Sequence, residues 1–176
     1  MPGRTGHNDH VEPDPSASPR PVDRLDARLV GALARAPRTG VLELSRLLGV
    51  ARGTVQARLD RLLRSGVLSL QPVLDPAALG FPVTAFLTLE LHQDTGRDAV
   101  TAQLSGIPQV LEAHTTTGTG DLLVRVVARD NTHLQQVIDA VVAAPAVSRT
   151  STVIALQDVV RHRTVPLLDA ATADAP

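Results

Sequence analysis

The hydrophobic period of the chain changes after its first third. From Asp23 onward, Leu25, Leu29, Val30 and Leu33 recur at helical spacing and the pattern stops before Pro37, with Asp23 placed to cap the first turn. A second, short helix is predicted over 41–48, with Leu44, Leu47 and Leu48 turned inward and Gly49 just past its end. A third is predicted over 52–64, where Val55, Leu59, Leu62 and Leu63 form one apolar stripe and Gly66 closes the helix after Ser65. Beyond Gly66 the period becomes two. Val67 to Leu74 predicts a short strand ending at Asp75-Pro76, and the stretch to Pro82 reads as a connector.

Further strands are predicted at 83–91, 110–117, 121–128 and 147–160, with helices between them at 97–106 and 131–143. This order, β-α-β-β-α-β, is the ferredoxin-like arrangement. Right-handed crossovers put both helices on one face of such a sheet, so a monomer should make the other face polar. Instead, the third strand carries Leu122, Val124, Val126 and Ala128 on one side and Leu123 and Val127 on the other. The fourth sets Ile154 and Leu156 against Val153, Ala155 and Val159. A second copy of the same sheet is the simplest cover, and a homodimer or higher even oligomer is expected.

A length of 176 residues allows one or two domains, and 43% hydrophobic with 20% charged residues is enough for a packed core. No apolar run reaches membrane-spanning length, and the polar first residues lack the form of a secretory signal, so a cytoplasmic protein without a membrane partner is expected. The chain has no cysteine, which excludes disulfides, thiolate nucleophiles and cysteine-held metals. The net charge of −1 conceals a division: residues 22–69 hold nine Arg against four acids, residues 70–176 six Arg against eleven. A basic module is thus joined to an acidic one, which points to a polyanion partner for the first only. Residues 1–21, with five Pro, are expected as a disordered tail and residues 164–176 as a loose C-terminal tail.

Two short helices joined by Gly49-Val50-Ala51 suit a helix-turn-helix, whose second helix lies in the major groove of double-stranded DNA. The face opposite Val55 and Leu59 offers Gly53, Gln56, Ala57, Asp60, Arg61 and Arg64, with Arg52, Thr54 and Arg58 at its start and edges. Gln and Arg read base edges, while Thr, Arg and backbone amides suit phosphates. The plainer alternative is a helical bundle with a solvated arginine face.

From Leu25 to about Arg161 the chain also resembles the Lrp/AsnC (leucine-responsive, feast/famine) transcriptional regulators. The matching residues are Leu25-Asp26, Leu44-Ser45, Gly49-Val50, Thr54-Val55, Arg58-Leu59, Arg61-Leu62, Gly66-Val67-Leu68, Leu74-Asp75-Pro76, Leu79-Gly80, Gly118 with Asp121, and Val147 followed by Thr150 and Thr152. The resemblance implies a DNA-binding regulator that responds to a small molecule, an amino acid being the expected class. The fold expected is α+β, an N-terminal winged helix-turn-helix domain plus a C-terminal ferredoxin-like βαββαβ domain. The helix-turn-helix domain would span 22–66, a hinge strand and linker 67–81, and an effector-binding and oligomerisation domain 82–163. Two positions depart from the family pattern: Ala51 stands where a capping Ser is usual, and Gly120 where an aromatic is common.

The segment Thr116-Thr117-Gly118-Thr119-Gly120-Asp121 reads by itself as a hairpin turn. The resemblance implies an effector site there, with amides and Thr hydroxyls for a carboxylate, Asp121 for an ammonium, and Thr150 and Thr152 contributing from a neighbouring strand. No catalytic residue, cofactor or metal site is expected: His92, His114, His133 and His162 form no ligand pair and read as surface or strand residues, and His7 and His10 lie in the tail. Alternatives on the same frame are a sirohaem-decarboxylase-like enzyme, disfavoured by the absence of Tyr and of clustered His, or a sensor that no longer binds DNA.

Overall fold

The computed structural model describes residues 22–92 and 97–173, and the expected N-terminal tail at 1–21 lies outside them. The chain divides into two compact units, one running to Gln71 and resuming at His162, the other spanning Pro72–Arg161.

The first unit is helical. Helix α1 (Arg24–Arg35) starts at Asp23, whose carboxylate accepts from the amides of Leu25 (2.8 Å) and Asp26 (2.9 Å). Asp26 returns the favour to the Asp23 amide (3.1 Å), closing a reciprocal cap. Helices α2 (Val41–Leu48) and α3 (Arg52–Arg64) are joined by a turn in which Gly49 takes a left-handed φ of 71°. Leu29, Ala32 and Leu33 of α1, Leu44 and Leu48 of α2, and Val55 and Leu62 of α3 form the core. Leu47, expected inward, is 60% exposed, because Leu44 and Leu48, four apart, already take the buried stripe of so short a helix.

Three expectations fail around this unit. Residues 67–74 form no strand, so no wing follows α3; a strand needs a paired neighbour, and here Val73 stands 94% exposed. The supposed loose tail at 164–176 carries a helix, α6 (Pro166–Ala173), packed against α1, while residues 174–176 lie outside the described residues. Pro166 begins this helix rather than ending order, a position where its missing N–H costs nothing.

The second unit is a four-stranded antiparallel sheet in the order β2-β3-β1-β4. Its elements run β1 (Val83–Leu91), α4 (Arg97–Ser105), β2 (Val110–Thr115), β3 (Leu122–Ala128), α5 (Asn131–Val142) and β4 (Val147–Ala155). Three strands are shorter than the sequence predicts, β3 by a single residue. β2 stops where Thr116 enters the turn, and β4 stops at Ala155, which pairs with Thr84 near the start of β1 and has no partner beyond. One face of the sheet packs Ala85, Leu87, Leu89, Val124, Val126 and Ala128 against Val100 and Leu104 of α4 and Leu134, Val137 and Val141 of α5. His133 of α5 is buried rather than a surface residue, its Nδ1 accepting from the Arg129 amide (3.1 Å).

The helix-free face is partly apolar. Phe86 sits opposite Val153, and next to them Thr88 pairs with Leu123; Phe86, Leu123 and Val153 are all exposed, while Val127 on this face is covered. Among the described residues no helix is long and apolar enough to cross a membrane.

Candidate nucleic-acid interface and effector loop

Helix α3 begins without a side-chain cap, as Ala51 dictates; its first bonds run from the amides of Thr54 (3.0 Å) and Val55 (3.2 Å) to the Ala51 carbonyl. Val55 and Leu62 anchor it to the core, leaving Arg52, Gly53, Thr54, Gln56, Ala57 and Arg64 exposed. Gln56 donates to Asp60 Oδ1 (2.8 Å) and Arg64 Nε to the Asp60 carbonyl (3.2 Å), so both side chains lie along the outer surface of the helix.

Two of the eight residues singled out for DNA contact are engaged elsewhere. Arg58 binds Asp23 (2.5 Å) and Asp26 (2.9 Å), and Arg61 binds the second oxygen of Asp26. Asp26 is fully buried, while the two guanidinium side chains are 27% and 30% exposed. Burial by itself would push the Asp23 carboxyl up, but the Arg58 hydrogen bond, the amides of Asp26 and Leu25 and the Arg58 charge outweigh it and hold the group below its ordinary value. The same bonds, to Asp23 first and then Asp26, push Arg58 up. Periodicity places Arg61 on the outer face and Arg58 at its edge. The signal for their inward use was the carboxylate of Asp26 on the apolar stripe of α1, one turn before Leu29 and two before Leu33.

The effector loop is built as a turn. Gly118 takes a φ of 110°, the Thr116 amide donates to the Asp121 carbonyl (3.0 Å), and Thr116 Oγ1 donates to the Gly120 carbonyl (2.9 Å). A Cβ on Gly120 would lie 2.2 Å from Thr88 Cγ2 and 3.4 Å from the Leu89 carbonyl, so any larger side chain would have to displace Thr88. Asp121 is tied to the end of β1: its amide donates to the Leu89 carbonyl (2.8 Å) and its Oδ2 accepts from the Leu91 amide (2.7 Å). That carboxylate therefore completes the sheet where the β1–β4 register shifts at Glu90/Leu91. Thr117, Gly118 and Thr119 are exposed. Thr150 and Thr152 pair with Leu89 and Leu87 and so share the helix-covered face, whereas Gly120 abuts Thr88 on the opposite one. Thr150 Oγ1 is buried without a protein partner. One chain alone does not bring these seven residues into a single site.

Comparison with known proteins covers both units. Residues 22–63 match the AsnC-type helix-turn-helix domain, and residues 83–165 match the Lrp/AsnC ligand binding domain. The HTH-type transcriptional regulator FL11 of Pyrococcus horikoshii is 28% identical over 138 residues, covering 78% of this chain and 91% of its own. The solved structure of Escherichia coli AsnC superposes with a TM-score of 0.76 at 27% identity, covering 82% of this chain and 99% of that one. A Neisseria meningitidis regulator solved as a complex with L-Met has the same fold, with a TM-score of 0.73 at 21% identity over 81% of this chain and 94% of that one. With both of its units matched, in order, by the two domains of one family, the chain belongs to the Lrp/AsnC family of DNA-binding transcriptional regulators.

Proposed function

We propose that this regulator reads double-stranded DNA with the outer face of α3, through Arg52, Gly53, Thr54, Gln56, Ala57 and Arg64, and that an amino acid tunes the reading. It acts in the cytoplasm, by binding rather than catalysis. The DNA-binding domain is 22–66, the linker 67–81, and the effector and oligomerisation domain 82–163. The observation that carries the reading is the exposed stripe of α3, where Gln56 and Arg64 flank small residues, Gly53 and Ala57, that allow close approach to a groove.

Supporting an effector site are the exposed Thr117-Gly118-Thr119 backbone, the unpartnered Thr150 hydroxyl and the L-Met bound by the Neisseria relative. Since the loop and the two threonines occupy different faces of the sheet, a second copy of the chain must complete that site. The exposed Phe86, Leu123 and Val153 supply a surface for such a copy.

Gel-shift titrations test the interface. Gln56→Ala should relax sequence preference at a cost of about 1–3 kcal/mol, and Arg64→Ala should weaken all DNA alike and lower the salt slope by about one. Wild-type behaviour of both variants on preferred and random duplexes would remove α3 from the groove.

A further inference from the structure

Asp26 is a carboxylate in the core of the helical unit, and its two oxygens accept from three partners, two of them guanidiniums. Oδ1 accepts from Arg58, while Oδ2 accepts from Arg61 and from the Asp23 amide. Asp23 takes a further bond from Arg58. A carboxylate out of water needs such pairing, and both cations come from the helix that carries the DNA-reading stripe. Arg58 and Arg61 lie one turn apart on the flank of α3, between its buried and exposed faces. Left free, they would extend the cationic surface of α3 around its side, where a phosphate backbone runs beside a groove.

We infer that Asp26, seconded by Asp23, is a positioning and specificity-determining residue of the recognition helix, holding Arg58 and Arg61 inside the unit so that DNA meets only the Arg52–Gln56–Arg64 side of α3. The reason is chemical. A guanidinium on phosphate adds affinity for every sequence alike, so each cation withheld lowers binding to random DNA and leaves recognition to the base contacts. The fork geometry of Arg on a carboxylate also fixes the rotation of α3 about its axis, which decides which side chains face the bases. This inference deepens the proposed interface and rests on it.

The wild-type chain supplies the first test. With arginine labelled in nitrogen-15, the Nε–H signals are followed while a duplex selected by the protein from a random-sequence pool is added. Signals of Arg52 and Arg64 should shift and those of Arg58 and Arg61 should stay. A shift at Arg58 or Arg61 overturns the inference and leaves the interface standing; no shift at Arg52 and Arg64 overturns the interface, and the inference with it.

The second test is release of the lock. Asp26→Asn keeps the shape and removes the charge that holds Arg61. Its salt slope on a random-sequence duplex should steepen by about one as Arg61 reaches phosphate, and its preference for the selected duplex should fall several-fold because α3 loses the fork that sets its rotation. Adding Arg61→Gln to the same chain should restore the slope. A purely structural Asp26 gives a different result, lower thermal stability with weaker binding to both duplexes and an unchanged slope, which overturns the proposal. Should the Asn variant fail to fold, the labelled wild type still decides.

Discussion

The helical unit answers its own demands, and the sheet unit answers only half of its own. In the first, the two carboxylates at the start of α1 meet guanidiniums from α3, and three helices share one core with α6 closing on α1. In the second, α4 and α5 bury one face of the sheet, while Phe86, Leu123 and Val153 stand exposed on the other. Toward the two ends of the same unit, Val73 and Leu156 stand 94% and 96% exposed. The contrast accords with the work proposed for the two units, a helical one that reads DNA and a sheet whose exposed face suits a second copy.

The largest effect should come from placing charge on the unfinished face. Leu123→Arg should leave each chain folded and dissociate the assembly, since an uncompensated charge buried at an interface costs about 3–5 kcal/mol. Val124→Arg, one residue along and wholly inside the core, should instead prevent the sheet from folding. Sedimentation together with far-ultraviolet dichroism separates the two outcomes. A monomeric wild type at micromolar concentration would remove the contrast.

How much of this was legible in the chain depends on which interactions are local. Helix α3 is found at its true bounds because Val55, Leu59 and Leu62 repeat at 3.6 and Gly66 marks its end. The order of strands and helices in the sheet unit is legible for the same reason. Pairing is not local. Val67 to Leu74 looks like a strand to any periodicity argument, yet remains unpaired in the chain, and the last residues of the expected fourth strand outrun β1. The inward use of Arg58, Arg61 and Asp121 was hidden differently. Their chemistry suits DNA and ammonium ligands, and only the fold brings Asp26 and the Leu91 amide within reach of them.

Asp121 gives the next largest effect. Asp121→Ala leaves the Leu91 amide without its acceptor, and should cost the sheet unit about 1–3 kcal/mol in urea melts. Asp121→Asn keeps an acceptor and should recover most of it. The pair also sharpens the effector reading: if Asp121 holds an ammonium, both variants lose the amino-acid response of DNA binding, whereas if it only shapes the loop, Asn retains it.

A smaller effect tests how far the helical unit closes on itself. Leu168 of α6 lines a cleft of about 560 Å³ with Arg24, Arg28, Leu47 and Leu48, so its truncation removes partly buried apolar area. Leu168→Ala should lower the stability of that unit by about 1 kcal/mol, at about 25 cal/mol per Å². Leu167→Ala, 65% exposed, should change nothing measurable in the same thermal melts.

The smallest effect is electrostatic, and it appears in acid in both units. Asp23 is held below its ordinary value of 3.8 because Arg58 and the backbone amides outweigh its burial. Glu112 is held below 4.5, first by its hydrogen bond from Arg125, against burial, with His114 adding to it. A carboxyl with a lowered folded pKa binds its proton less readily when folded than when unfolded. Its stabilisation is therefore complete above the ordinary value and is lost as pH falls through the lowered one. Both side chains are close to half exposed, so salt screens much of the effect. Asp23→Asn retains a good capping residue while removing the charge, and should flatten the acid side of the stability curve for the helical unit alone. Glu112→Gln should do so for the sheet unit alone. Melts between pH 5 and about pH 2, at low and high salt, follow each unit. An acid slope unchanged by either substitution would mean that the Arg58 and Arg125 pairs add nothing to folding and serve only to direct side chains.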